Sequence, residues 1–243
     1  MIENKKNKHF SGKFFEEIEQ IPESDNYFTP VIEEVGLLVN FKESQVLDVG
    51  CGTGLFTKPI ISAGCKNCYG VDGPTEFGSL AIKRGYKEVV EVENLCIDSI
   101  PYKDEKFDLV VCKDVFEHLL DPLHTLSEIK RVLKPNAYLL LHVPNHFPLL
   151  GRFKFLFTNN IDTFSFFKSE SRWTFPHIRF YEHNDMLRVF KENGFNLKTD
   201  LSFHFDSVPL LSRFGIFNWL NKKLVEKYPN QYAGGFTFLV KKE

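Results

Sequence analysis

An α/β fold with a doubly wound, mostly parallel sheet is what this chain of 243 residues predicts. Three observations carry the prediction. Short apolar runs recur between residues 46 and 143 and alternate with segments of helical period. The first run, "VLDV", opens directly into glycines at positions 50, 52 and 54. The second run closes on Asp72, about twenty residues past that turn, where nucleotide-binding sheets keep an acid for a ribose.

The elements follow in order. Residues 1–40 read as an N-terminal helical cap in two pieces, broken between Pro22 and Pro30, ahead of a main domain at 41–243. Residues 46–49 form a short buried strand. Residues 55–63 read as a helix with Pro59 near its first turn and Gly64 at its stop. A second strand at 68–72, a helix at 75–84 closed by Gly85, a third strand at 89–95 and a fourth at 107–112 come next. Asp121 and Pro122 supply an N-cap and a first-turn proline. Leu123, Leu126, Ile129, Val132 and Leu133 then share a helix face, up to the Lys134-Pro135-Asn136 stop. A fifth strand at 138–143 follows. Residues 145–181 are Phe-rich and irregular, with basic residues interspersed, and read as a lid-like insert that binds the acceptor. A helix at 184–193, a strand at 195–201, a helical stretch at 212–227 and the closing strand "GGFTFLVKK" complete the chain.

Composition narrows the function classes. A hydrophobic fraction of 43%, a charged fraction of 26% and a net charge of −2 are those of a soluble globular protein with no evident nucleic-acid partner. The opening MIENKKNKHF lacks the apolar core of a signal peptide. No apolar run approaches the length of a membrane span. A cytoplasmic location without stable membrane insertion is expected. Cys65 and Cys68 have metal or redox spacing, but no second pair exists to close a zinc site.

The glycines admit a ligand to the backbone N–H groups at a strand end. A phosphate-cradling P-loop needs a lysine after its last glycine, and none follows Gly54. The dinucleotide fingerprint places its third glycine one residue later. A glycine turn plus a ribose acid points to an adenosine-type ligand across the carboxyl ends of the strands.

"VLDVGCGTG", "YGVD", "FDLVVCKDVFEHLLDP", "EIKRVLKPNAYLLLHVPN" and "HIRFYEHNDMLRVFKENGF" occur in this order. Together they resemble the class I S-adenosylmethionine-dependent methyltransferases over roughly residues 40–200. The resemblance implies a Rossmann-like, seven-stranded sheet whose last strand is antiparallel, with the Phe-rich insert after strand five. It implies S-adenosyl-L-methionine as cofactor and S-adenosyl-L-homocysteine as product. Asp48 would sit under the loop near the methionine amine, Gly50, Gly52 and Gly54 would line the cofactor, and Thr53 would add a hydroxyl near its carboxylate. Asp72 would hold the ribose, and Lys113 and Asp114 would border the transfer site. The family's adenine-binding acid is less plain here. A gapless count puts Cys96 there, Asn94 is another candidate, and Asp98, the nearest acid, is the expected contact. Phe10, Phe14, Phe15, Tyr27 and Phe28 are expected to close over the cofactor.

For transfer to a hydroxyl a base is needed, and His146 and His177 lie where this fold keeps its active site. No metal is expected, although Asp114, Glu117 and His118, spaced i, i+3, i+4, would share a face if one were held. Some hydroxyl methyltransferases with a similar pattern use one. Arg152, Lys154, Lys168, Arg172 and Arg179 suit an anionic or sugar- or nucleotide-linked acceptor. The function expected is methyl transfer to a small molecule, at oxygen, in a monomer or homodimer. The alternatives are a non-catalytic adenosyl-cofactor-binding regulator and, disfavoured by the glycine spacing, a nicotinamide oxidoreductase.

Overall fold

The structure, a computed structural model, describes residues 28–73, 78–158, 177–205 and 215–243. Its centre is β1 (Gln45–Val49), flanked in parallel by β2 (Asn67–Asp72) and β4 (Phe107–Lys113). Outside them lie β3 (Glu88–Glu91), parallel to β2, and β5 (Leu133–Pro144), parallel to β4. The chain's last strand, β7 (Gly235–Lys242), inserts antiparallel between β5 and β6 (Phe195–Asp200). The seven-stranded order is β3-β2-β1-β4-β5-β7-β6. The mostly parallel sheet and its antiparallel closing strand are therefore those expected.

Strand parity explains why the sheet is covered twice. Leu47, Val49, Val110, Leu139 and Leu141 point to one face, where they pack with Leu126 and Ile129 of α4 (Pro122–Val132) and Met186 and Phe190 of α6 (His183–Glu192). Val46, Leu109, Val111 and Leu140 point to the other, with Val31, Ile32 and Val35 of α1 (Thr29–Gly36), Ile60 of α2 (Lys58–Ser62) and Ala81 of α3 (Gly78–Lys83). Central strands buried on both sides need continuous apolar runs, and "VLDV" and "FDLVVC" supply them. Asp121 caps α4 as expected, its carboxylate accepting from the N–H groups of Leu123 and His124 at 3.1 Å each.

Several boundaries differ from the sequence reading. Turns occupy residues 50–57 because the glycines hold left-handed backbone, which leaves α2 only five residues. β3 ends at Glu91 because a turn follows, in which the Asp98 carboxylate accepts from the Asn94 N–H and the Asn94 side chain from the Cys96 N–H. The expected stop at 134–136 does not separate α4 from β5. The helix passes straight into the strand at Leu133, with Asn136 in left-handed backbone at φ 63° and a register shift opposite Phe107 and Leu109. Within the expected irregular insert, Leu149–Thr158 is a helix, α5. Residues 1–27 of the cap and 159–176 of the insert lie outside the described residues. The C-terminal helices are α7 (Gly215–Lys227) and α8 (Pro229–Tyr232). No described helix is long and apolar enough to cross a membrane.

Candidate active site

The glycine turn leaves the end of β1 and is tied to the neighbouring strand: the N–H groups of Gly50 and Cys51 both donate to the Val71 carbonyl. Gly50, Gly52 and Gly54 have φ of 72°, 49° and 77°. The reasons for the missing side chains divide. A Cβ on Gly50 would run into the Val115 side chain, and one on Gly54 would lie 2.6 Å from the Tyr86 ring. Two of the three glycines thus admit protein neighbours, and the N–H groups of Gly50, Cys51, Gly52 and Gly54 are all bonded within the protein.

Asp72 closes β2 beside that loop. Its carboxylate accepts from the Gly52 N–H and, at 2.7 Å, from the Gly73 N–H. Burial raises its pKa, against the pull of these two donors. Asp48 is buried under the loop. It accepts from the Tyr86 hydroxyl at 2.6 Å, and burial lifts its pKa to about 6. Thr53 is buried, and its carbonyl accepts from Arg84 at 2.8 Å. Lys113, at the end of β4, is buried with its ammonium 3.9 Å from the centre of the Phe56 ring and 5.7 Å from that of Phe28. It pairs with Asp114, which sits at φ 54° and also faces His142 Nε2 at 3.4 Å.

The backbone and acid placement fit an adenosyl cofactor. A left-handed glycine turn at the carboxyl end of β1 and a carboxylate at the carboxyl end of β2 are the two features such a ligand needs. Gly50, Gly52, Gly54 and Asp72 would hold it, with Asp48 beneath and Lys113 and Asp114 beyond. Of the expected closing aromatics, Phe28 is fully buried near Lys113, and the other four lie outside the described residues. Asp98 sits in the turn after β3, half-buried, its carboxylate engaged by the Asn94 N–H.

Past the ends of β4 and β5 four further groups converge. The 3₁₀ turn Phe116–His118 buries Glu117 completely. Asn145 fixes the opposite side: its N–H donates to the Gly234 carbonyl, its amide to the Ala233 carbonyl at 2.8 Å, and its side-chain oxygen accepts from Phe147. That turn delivers His146. The segment entering at His177 is stitched to the 3₁₀ turn, since the N–H groups of Ile178 and Arg179 donate to the Glu117 carbonyl and Tyr181 Oη to the Phe116 carbonyl at 2.8 Å. His146 Nε2 and His177 Nδ1 are 2.6 Å apart, so one of them carries the proton between them. His177 Nε2 lies 3.9 Å from Glu117, and the His118 and His177 rings meet edge to face at 4.8 Å.

The electrostatics follow from burial. It pushes His146 down to about 4 and His177 to about 3, with His118 the next cause for both. Both imidazoles are therefore neutral at pH 7. Burial, and then the Asp114 charge, pushes Glu117 well above the ordinary carboxyl range. Neither Glu117 oxygen accepts a hydrogen bond from any described residue. Ligand atoms of Glu117, His118 and His177 all lie within 4.8 Å of one another. The triplet that converges is thus not the Asp114, Glu117, His118 set suggested by spacing. Asp114 turns to Lys113 and His142, and His177 takes the third place.

Two expected acceptor cations are otherwise engaged. Arg179 donates to the carbonyls of Leu119 and Leu120, and Arg152 Nε to the Phe147 carbonyl at 2.7 Å. Lys168 and Arg172 lie outside the described residues. Beside the histidines, Phe147 and Phe180 form a half-exposed aromatic rim, with the Phe180 ring edge-on to His146 at 4.9 Å. Tyr86 and Arg84 were not singled out by the sequence, and their one local signal is the Gly85 turn, at φ 106°.

A family model described as "Methyltransferase domain" matches residues 24–199. The chain is 35% identical over 108 residues to the ubiquinone biosynthesis O-methyltransferase of Haemophilus ducreyi, a stretch covering 42% of this chain and 45% of that protein. It is 32% identical over 106 residues to the tRNA U34 carboxymethyltransferase of Nautilia profundicola, covering 42% and 35%. The alignments thus span less than half the length of these curated relatives. Among solved structures it resembles a SAM-dependent methyltransferase from Aquifex aeolicus, with a TM-score of 0.57 and 20% identity over 95% of this chain and 97% of that one. Another, from Archaeoglobus fulgidus, gives a TM-score of 0.59 at 17% identity over 95% and 99%; at these identities the likeness is one of fold. With the family model spanning the glycine turn, the ribose acid and the strand ends that carry the histidines, the chain belongs to the class I S-adenosylmethionine-dependent methyltransferases.

Proposed function

We propose that this chain transfers a methyl group from S-adenosylmethionine to a hydroxyl oxygen of a small-molecule acceptor, with His146 and His177 as the proton-accepting pair. The carrying observation is the 2.6 Å contact between buried His146 and partly buried His177, both neutral, past the ends of β4 and β5. The cofactor supplies a methyl already activated by its sulfonium. The protein has to align the acceptor and receive its proton. One imidazole takes that proton and the other shares the resulting charge. The rim of Phe147 and Phe180 supports an acceptor with a flat apolar or sugar face. Engagement of Arg152 and Arg179 by carbonyls weakens the case for an anionic one. The similarity to ubiquinone biosynthesis O-methyltransferases favours oxygen, and the net charge of −2 favours a small molecule over RNA.

A second reading has its own observation. Neither Glu117 oxygen has a hydrogen-bond partner among the described residues, ligand atoms of Glu117, His118 and His177 lie within 4.8 Å of one another, and imidazoles with a carboxylate are the donor set of a divalent cation. A cation there would ionise Glu117 and orient the acceptor oxygen. One experiment separates the two. Formation of S-adenosylhomocysteine is followed with a panel of hydroxyl acceptors, for wild type, His146→Ala and His177→Ala, before and after EDTA and with Mn²⁺ restored. The base reading expects turnover to fall about 100-fold or more in both variants, with S-adenosylhomocysteine affinity retained, and wild type to ignore EDTA. Variants as active as wild type would sink it. Loss with EDTA and recovery with Mn²⁺, abolished in Glu117→Gln, would put the cation first.

A further inference from the structure

We propose that Tyr86 is a positioning residue for the cofactor: its hydroxyl fixes the Asp48 carboxylate while its ring braces Gly54, so one side chain holds both ends of the loop at 48–54. This rests on the reading of that loop as the cofactor site.

Tyr86 arrives on the turn between α3 and β3. Gly85 permits the turn at φ 106°, and the Tyr86 N–H donates to the Ala81 carbonyl at 3.1 Å. The side chain is buried and points beneath the loop. Its hydroxyl donates to Asp48 Oδ2 at 2.6 Å. Burial, and then the Asp48 charge, pushes Tyr86 well above the ordinary tyrosine range, so it remains a donor at every working pH. The ring edge occupies the space that a Gly54 side chain would take. One residue before the turn, Arg84 Nη1 donates to the Thr53 carbonyl at 2.8 Å. The loop is therefore gripped at its acid, at Thr53 and at Gly54 by a single tripeptide, Arg84-Gly85-Tyr86.

The groups facing Asp48 are few. Thr57 donates to it beside Tyr86, Asp72 from β2 opposes its ionisation, and Lys113 from β4 favours it. The thiols of Cys51, Cys68 and Cys112 are all raised by burial and stay neutral. Tyr86 is thus one of two donors that keep a buried carboxyl ionised near neutral pH. Removing its hydroxyl leaves Asp48 protonated over a wider pH range and free to turn.

The test is calorimetric titration of the full chain with S-adenosylhomocysteine between pH 5 and 8.5. Wild type is expected to lose affinity as pH falls through about 6, where Asp48 takes up its proton. Tyr86→Phe keeps the ring against Gly54. It should bind about tenfold more weakly at pH 7, with the midpoint displaced upward by about one unit. A purely structural tyrosine would lower the melting temperature and leave the midpoint where it was. Tyr86→Phe with wild-type affinity and midpoint overturns the proposal. If that variant does not fold, Asp48→Asn decides: it keeps an oxygen for Tyr86, and persistence of the pH midpoint in it overturns the proposal as well. Failure of wild type to bind at any pH removes the cofactor reading itself, a different result from an unchanged variant.

Discussion

Gly54 has a reason to lack a side chain that its sequence neighbours do not display. A Cβ there would meet the Tyr86 ring and the Ala81 methyl, whatever the loop binds. Two costs therefore meet in Gly54→Ala: a left-handed φ of 77° and a buried ring with nowhere to move. The substitution should destabilise the protein by roughly 1–3 kcal/mol, read as a lower urea midpoint at unchanged slope. A midpoint equal to wild type would mean that the ring and loop are not in contact. Tyr86 itself lay beyond sequence reasoning. It is 38 residues from Asp48, and only the sheet order brings the start of β3 under the end of β1.

Elements were easier to find than their joints. The apolar runs of β1, β2 and β4 and the Asp121-Pro122 start of α4 announce themselves, because buried parallel strands and helix caps impose local composition. The joint between α4 and β5 does not, since Asn136 accepts a left-handed backbone that turns an apparent stop into a bulge. Nor does the role of the 177–181 segment. Its arginine reads as an acceptor-binding cation but serves as a strap, binding the carbonyls past the 3₁₀ turn and so holding His177 against Glu117. Spacing alone could not have chosen His177 over Asp114 for the triplet, because the 62 residues between the two include the whole of β5 and α5. Arg179→Ala should therefore cost about 1–2 kcal/mol and speed hydrogen exchange at the Ile178 and Arg179 amides, which donate to Glu117. Unchanged exchange there would show that the strap is not held by the guanidinium.

At the scale of the molecule, the carboxyl edge of the sheet gathers several groups whose ionisation is disturbed by burial, and the signs oppose one another. His142, His146 and His177 are held neutral, down to about 4, 4 and 3. Below pH 6.5 each takes up a proton on unfolding, so each withdraws stability as pH falls toward its folded value. Asp48, Asp72 and Glu117 are raised, the first to about 6. They lose a proton on unfolding above the ordinary carboxyl range, so their contribution is present at low pH and lost as pH rises. Between about pH 4 and 6 the two sets therefore act in opposite directions. Removing one histidine tips the balance. With EDTA present to strip any cation, His177→Gln should gain on wild type by about 2 kcal/mol between pH 7.5 and pH 4.5, because the variant no longer has a partly buried imidazole that resists protonation. Urea unfolding of both proteins at the two pH values reads the difference. An equal gap at both would mean that His177 titrates normally in the fold, and the neutral pair on which proton transfer depends would go with it.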